Sequence, residues 1–235
     1  MNSHFRAVLF DLDGTLLDSN METFLPHYLK RISARVAGIM PPQEFVAQLL
    51  RSTELMLDND GRMTNEELFA ADFYPAIGRP RVEMEPIFDA FYAEEFPSLQ
   101  QYTKRKPEAR RVVQRIFELG YDVAITTNPL FPETAVRQRM AWAGVDDFPY
   151  RLVTTYENSR FCKPNPRYFV DVAERLGYPT GDCLMVGDEE MDLAGALVGC
   201  PTFLVQSSST KLGSGSPEPT YRGTLEDVVA LLERG

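Results

Sequence analysis

Short apolar runs alternating with helix-periodic segments constrain this chain more than any other feature. Ala7–Phe10, Val123–Thr126, Leu152–Thr155, Leu184–Val186 and Thr202–Val205 are brief and almost free of charge, as strands buried on both faces are. Helical patterns lie between the later ones. Val112, Val113, Ile116, Phe117 and Leu119 share one apolar face, Val136, Met140 and Ala143 a second, and Phe169, Val172 and Leu176 a third. Strands alternating with helices predict an α/β fold, a parallel sheet covered by helices on both sides.

The alternation breaks between about Asn20 and Gln101. Phe24, Tyr28, Ile32, Phe45, Leu49, Leu50, Leu68, Phe69, Phe88 and Phe91 are the expected packing positions there, and Pro41–Pro42, Gly61, Pro75, Gly78, Pro80 and Pro97 divide the stretch into several helices. The reading is a helical cap at 19–105 inserted into a core made of 1–18 and 106–235. Helices packed around a single domain would show the same periodicity. Toward the C-terminus, Ser207–Thr220 is rich in Ser, Gly and Pro and reads as an exposed, mobile loop. Thr224, with Asp227 three residues on, can open a last helix running to Leu232.

In parallel sheets ligands bind beyond the carboxyl ends of the strands, and polar residues gather at those ends. Asp11 and Asp13 follow the first strand, Thr127 and Asn128 the second, and Asp188 the fourth. Residues two apart share a face of an extended chain, so the carboxylates of Asp11 and Asp13 can converge on one pocket. Gly14 permits a tight turn whose backbone N–H groups could receive phosphate oxygens. Asp188 and Asp192, four apart, can face one way if a helix starts between them. Clustered carboxylates repel unless a cation offsets them. Hard oxygen donors with incomplete protein coordination suit Mg²⁺, and Lys163 is a second offset. Each residue alone is an ordinary turn, cap or surface residue; their joint order along an α/β pattern is what singles them out.

Composition narrows the partners. With 24 basic and 34 acidic side chains the formal charge is −10, which disfavours nucleic acid or an anionic membrane as a partner. The basic cluster Lys104–Arg105–Lys106 with Arg110 and Arg111 reads as a solvated face, or as a lure for anionic substrates near a cleft. Cys162, Cys183 and Cys200 form no C-x-x-C pair and read as reduced, buried thiols. No run is apolar for 18 residues, and Asp11 and Asp13 interrupt the N-terminal apolar segment. A soluble, cytoplasmic protein is expected. His4 and His27 are not spaced as a metal pair and, like Trp142, are assigned to packing or surface. The cap arginines Arg51, Arg62, Arg79 and Arg81 are assigned to helix surfaces.

Taken together, these motifs resemble the haloacid dehalogenase superfamily. Asp11-Leu12-Asp13-Gly14-Thr15, extended by Leu16-Leu17-Asp18-Ser19, matches its D-x-D-G-T motif. Val123-Ala124-Ile125-Thr126-Thr127-Asn128 matches the second motif, Lys163 in Lys163-Pro164-Asn165-Pro166 the third, and Gly187-Asp188 with Asp192, Ala194, Gly195 and Ala196 the fourth. The resemblance spans nearly the whole core. It implies a Rossmann-like core with a helical type-1 cap, hinged near Asp18–Asn20 and Thr103–Pro107, as in the phosphoglycolate phosphatase and β-phosphoglucomutase branch.

The resemblance also implies roles. Asp11 would be the nucleophile, forming an aspartyl-phosphate, and Asp13 the acid and then the base. Thr127 and Lys163 would hold phosphate oxygens, with Leu12, Gly14 and Asn128 beside them. Asp11, Asp13 through its carbonyl, and Asp188 would bind Mg²⁺, and Asp192 would support the metal shell or Lys163. An acid at position 13 favours phosphate over halide chemistry, because a halide leaves without a proton whereas an alkoxide-like oxygen benefits from one. The expected substrate is a small phosphorylated metabolite. A phosphomutase with the same motifs and a non-catalytic binding protein on this fold stay open as alternatives. No motif encodes the oligomeric state or the substrate itself.

Overall fold

The computed structural model describes residues 5–206, 210 and 212–234. Its central sheet has β1 (Ala7–Phe10) in the middle. On one side lie β4 (Asp122–Ile125) and β5 (Leu152–Val153); on the other lie β6 (Cys183–Gly187), β7 (Thr202–Val205) and β8 (Tyr221–Gly223). Every pairing in this sheet is parallel. The five expected strands are all present, with ends shifted by a residue or two, and β5 is shorter than its apolar run. The sixth, Tyr221-Arg222-Gly223, was not expected: it is an edge strand with a charged residue at its centre and no apolar run to announce it.

Alternation along each strand sorts the side chains. Val8 and Phe10 of β1 join Val123, Ile125, Leu184 and Val186 on one face, under α5 (Ala109–Glu118), α6 (Glu133–Ala143) and α9 (Leu225–Leu232). Ala7 and Leu9 join Ala124, Cys183 and Met185 on the other face, under α7 (Pro166–Leu176). A short helix, α8 (Glu190–Leu193), follows β6, and the expected Thr224–Asp227 capping box opens α9. The three cysteines are free and buried.

Between β1 and β4 the chain forms a two-residue antiparallel ladder, β2 (Leu17–Asp18) with β3 (Lys104–Arg105). This ladder closes the base of an insert composed of α1 (Met21–Arg35), α2 (Pro42–Leu57), α3 (Asn65–Ala76), α4 (Arg81–Glu94) and a 3-10 segment at Phe96–Tyr102. Phe24, Phe45, Phe73, Phe91 and Phe96 of the insert belong to the same continuous hydrophobic cluster as Val8 and Phe10 of the sheet. The insert is therefore packed onto the sheet-covering helices. Of the expected packing positions, Leu50 is 42% exposed, because it faces an apolar cavity described below. His27 stacks flat on Tyr102; His4 lies outside the described residues, as do 207–209 and 211 of the expected C-terminal loop. The described part of that loop is irregular and is tied back where the Gly213 amide donates to Glu190 and the Thr202 amide to the Thr220 hydroxyl.

Candidate active site

The register of the sheet brings the site together. Phe10 is level with Ile125 on one side and Val186 on the other. The chain continues the ladder one step further: Asp11 N donates to Val186 O at 2.9 Å, and Thr126 N to Phe10 O at 2.7 Å. Asp11, Thr127 and Asp188 thus emerge together at the carboxyl edge, where strand order reverses around β1 and a crevice opens.

Lys163 arrives from the loop ahead of α7. Its ammonium is fully buried and donates to Asp11 Oδ1 at 2.9 Å and to Asp192 Oδ1 at 2.6 Å. Burial works against that charge, but the two carboxylates outweigh it and raise the lysine pKa, so Lys163 is held as a cation. Asn128 fixes the approach: its Oδ1 accepts from Lys163 N at 3.1 Å. Thr127 is buried, and its carbonyl accepts from the Thr154 and Tyr168 hydroxyls at 2.7 and 3.1 Å. Asp192 is fixed at both oxygens, since Oδ2 accepts from Glu189 N at 3.1 Å.

Asp188 accepts from the Thr15 hydroxyl at 2.7 Å. Burial, reinforced by the Asp192 and Glu189 charges, pushes its pKa up to about 6 against the Thr15 hydrogen bond. Burial likewise pushes Asp11 well above the ordinary carboxylate range; Lys163 opposes the shift, and Asp192 and Asp188 add to it. Oxygens of Asp11, Asp188 and Asp192 lie within 4.8 Å of one another. Three carboxylates face one ammonium there, so negative charge is left uncompensated. That arrangement fits a hard divalent cation.

Two glycines make the close approach possible. Gly14 has φ +85°, and a Cβ on it would fall 2.2 Å from Asp188 Oδ2; a Cβ on Gly187 would fall 2.1 Å from Asp192 Oδ2. The amide of Gly14, expected among the phosphate donors, instead donates to Leu17 O at 2.7 Å and closes the turn after Asp13. Leu12 is buried, and its carbonyl accepts from the amides of Leu16 and Leu17.

Asp13 lies outside this cluster of three acids. Its Oδ2 is ion-paired with Arg139 Nη1, a side chain only 1% exposed. Asp13 Oδ1 is buried without a hydrogen-bond partner, as are Arg139 Nε and Nη2. Arg139 was missed in the sequence although the signal was present. It sits at i+3 from Val136 and beside Met140, squarely on the apolar face of α6, where an arginine needs a buried partner. Lys106, grouped above with the surface cluster, donates to the Gly14 carbonyl. Its neighbours Arg110 and Arg111 form surface ion pairs with Asp147 and Glu226. Asn65, at the start of α3, was also missed. Its Nδ2 reaches Pro129 O at 3.1 Å and Cys162 Sγ at 3.3 Å, clasping the loops after Asn128 and before Lys163.

A family model described as haloacid dehalogenase-like hydrolase matches residues 5–198. The chain is 24% identical over 209 residues to phosphoglycolate phosphatase of Haemophilus influenzae, covering 85% of each. It is 27% identical over 206 residues to pyrophosphatase PpaX of Bacillus velezensis, covering 83% of this chain and 81% of the relative. The structure of L-2-haloacid dehalogenase from Xanthobacter autotrophicus with covalently bound chloropropionic acid superposes with a TM-score of 0.58 at 16% identity, over 97% of this chain and 98% of that one; that likeness speaks to the fold alone. Among the described residues no helix is long and apolar enough to cross a membrane. With a matching family model across most of its length and relatives named as phosphatases, the chain belongs to the haloacid dehalogenase-like hydrolases.

Proposed function

We propose that this hydrolase is an Mg²⁺-dependent phosphohydrolase of a small phosphorylated metabolite, with a core of residues 1–18 and 106–235 and a cap of 19–105. The observation that carries the reading is the buried triangle of Asp11, Lys163 and Asp192 beside Asp188, at the carboxyl ends of β1 and β6. Asp11, the Asp13 carbonyl and Asp188 are the ligands proposed for Mg²⁺, with Asp192 supporting Lys163. When bound, the cation neutralises charge on the phosphoryl oxygens.

Asp11 attacks phosphorus through the carboxylate oxygen opposite the one held by Lys163. The new Asp11 O–P bond forms as the bond to the leaving oxygen breaks, and Asp13 gives that oxygen its proton. Oδ2 of Asp13 is held by Arg139, so the proton is assigned to Oδ1, whose hydrogen-bonding capacity is unmet. Water then gives a proton back to Asp13 and attacks phosphorus, the Asp11 O–P bond breaks, and inorganic phosphate leaves. Lys163, Thr127, Asn128 and the Leu12 amide hold the phosphate oxygens as charge spreads over them. Gly14 supplies the turn that lets Asp188 approach.

The test is phosphate release from an aryl phosphate with and without Mg²⁺. Asp11→Asn is expected to lower kcat by a factor of about 10³ or more while the circular dichroism spectrum stays native. Full activity in that variant, or turnover in the presence of a chelator, refutes the assignment.

A further inference from the structure

A cavity of about 270 Å³ lies between the insert and the loop that follows Asn128. Leu25 and Leu29 of α1, Leu49 of α2, Phe69 of α3, Phe88 of α4 and Phe131 form much of its wall. Among the described residues lining it, none is charged. Tyr28 and Tyr92 also line it, and their hydroxyls are hydrogen-bonded to each other at 2.9 Å. Burial pushes the pKa of Tyr28 up to about 12, so the hydroxyl pair stays neutral.

Two side chains in series, Arg139 and Phe131, link Asp13 to the cavity wall. The Arg139 guanidinium that pairs with Asp13 lies over the Phe131 ring, 4.7 Å from its centroid, and Phe131 is part of the cavity wall. Leu130, three residues beyond Thr127, is also in the wall. The wall of the space is thus connected, through Phe131 and Arg139, to the residue assigned to protonate the leaving oxygen.

Phosphoglycolate and pyrophosphate each place a second anionic group next to the scissile bond, and such a group needs cations. Among the described residues no arginine or lysine of the cap lines this cavity, and Arg35, Arg62 and Arg81 are each paired with carboxylates. An apolar wall of this size suits hydrocarbon or aromatic bulk. It is nearly twice the roughly 150 Å³ that takes up a benzene ring in an apolar protein cavity.

We infer that the substrate is the phosphate monoester of an apolar alcohol, whose organic body fills the cavity between α1–α4 and the Pro129–Pro132 loop while its phosphate meets Asp11. This rests on the phosphohydrolase reading for the phosphate end only. The released product is the free alcohol, with the proton from Asp13 on its oxygen.

The test uses a homologous series, ethyl to octyl phosphate, whose leaving alcohols are chemically alike, and the matching uncleavable alkylphosphonates, all with Mg²⁺. The inference expects kcat/KM to rise about three- to four-fold per added methylene until the cavity is full. Phosphonate affinity measured by calorimetry should rise in parallel. Thr53→Phe, which adds a ring to the cavity wall, should flatten both slopes. A flat series, or a preference for phosphoglycolate or pyrophosphate over octyl phosphate, overturns the inference but leaves the phosphohydrolase reading standing. Chain-length-dependent phosphonate binding that Thr53→Phe flattens, with no turnover of any ester, upholds the cavity's ligand class and overturns the hydrolase chemistry instead.

Discussion

Arg139 and Asp13 form a charged pair in which the arginine is almost completely enclosed. Two of its nitrogens and one Asp13 oxygen have no hydrogen-bond partner, so the pair has little else to offset desolvation. Removing one member strands the other, at a cost of about 3 kcal/mol. Removing both should cost little more than removing one. Urea denaturation of Asp13→Ala, Arg139→Ala and the double variant should therefore show a coupling of about 2 kcal/mol; additive losses would mean the two side chains do not depend on each other. Asp188 supports a prediction of a different kind. Its native pKa of about 6 lies above the unfolded carboxylate value near 3.8. Between those values the native state holds the proton more tightly, so this group's contribution to stability falls as pH rises from about 4 to 6 and stays low above. In chelator, Asp188→Asn should remove that fall and be more stable than the parent at pH 7.5 by on the order of 2 kcal/mol. Excess Mg²⁺ should stabilise the parent at pH 7.5 and not at pH 4.5. Thermal denaturation at the two pH values checks both statements.

At the scale of elements, α3 connects the insert to the catalytic loops. Its N-terminus is held by the Thr64–Glu67 capping box, and the amides of Asn65 and Glu66 donate to Ser159 O and Tyr156 O at 2.8 and 2.9 Å. The buried Asn65 side chain adds its bonds to Pro129 O and Cys162 Sγ and accepts from Asn59 Nδ2 at 2.8 Å. Asn65→Ala should cost about 2–3 kcal/mol, since it leaves buried partners unmet, and should lower kcat as well by loosening the loops that carry Asn128 and Lys163. Thr64→Ala, a cap on the exposed side, should cost about 1 kcal/mol with kcat unchanged. Equal effects on kcat would mean that α3 acts only through overall stability. The contrast shows what the sequence could reveal. The strands and the acids at their ends were legible because burial imposes apolar runs and polar breaks on contiguous residues. Asn65 and Lys106 were not, since their meaning lies in partners far along the chain: Asn65 reads locally as a helix start, and Lys106 as one more surface lysine. Arg139 was legible in principle, as a charge on an apolar helical face. Strand β8 was hidden because an edge strand of three residues needs no apolar signature.

Across the whole molecule, the question is whether the insert is a separate body or part of one core. Periodicity could not decide between them, because both arrangements bury the same helical faces. The single tryptophan sits where they differ. Trp142 belongs to α6, which covers the sheet, yet its ring stacks on Phe96 at 5.4 Å and lies 6.3 Å from Phe24, both contributed by the insert. Tyr28 and Phe91 continue the aromatic contact into α1 and α4. Gln138 of α6 adds a hydrogen bond to Tyr92 O at 2.7 Å. An aromatic junction this extensive should hold insert and sheet in one cooperative unit, because opening it exposes several large rings at once. Unfolding followed by Trp142 fluorescence and by far-ultraviolet circular dichroism should therefore give one shared midpoint in urea. If the insert were an independent body, fluorescence would change at lower urea than ellipticity. Phe96→Ala should shift both midpoints down together, by about 3–5 kcal/mol in stability. A shift of the fluorescence transition alone would show that the two parts separate before either unfolds.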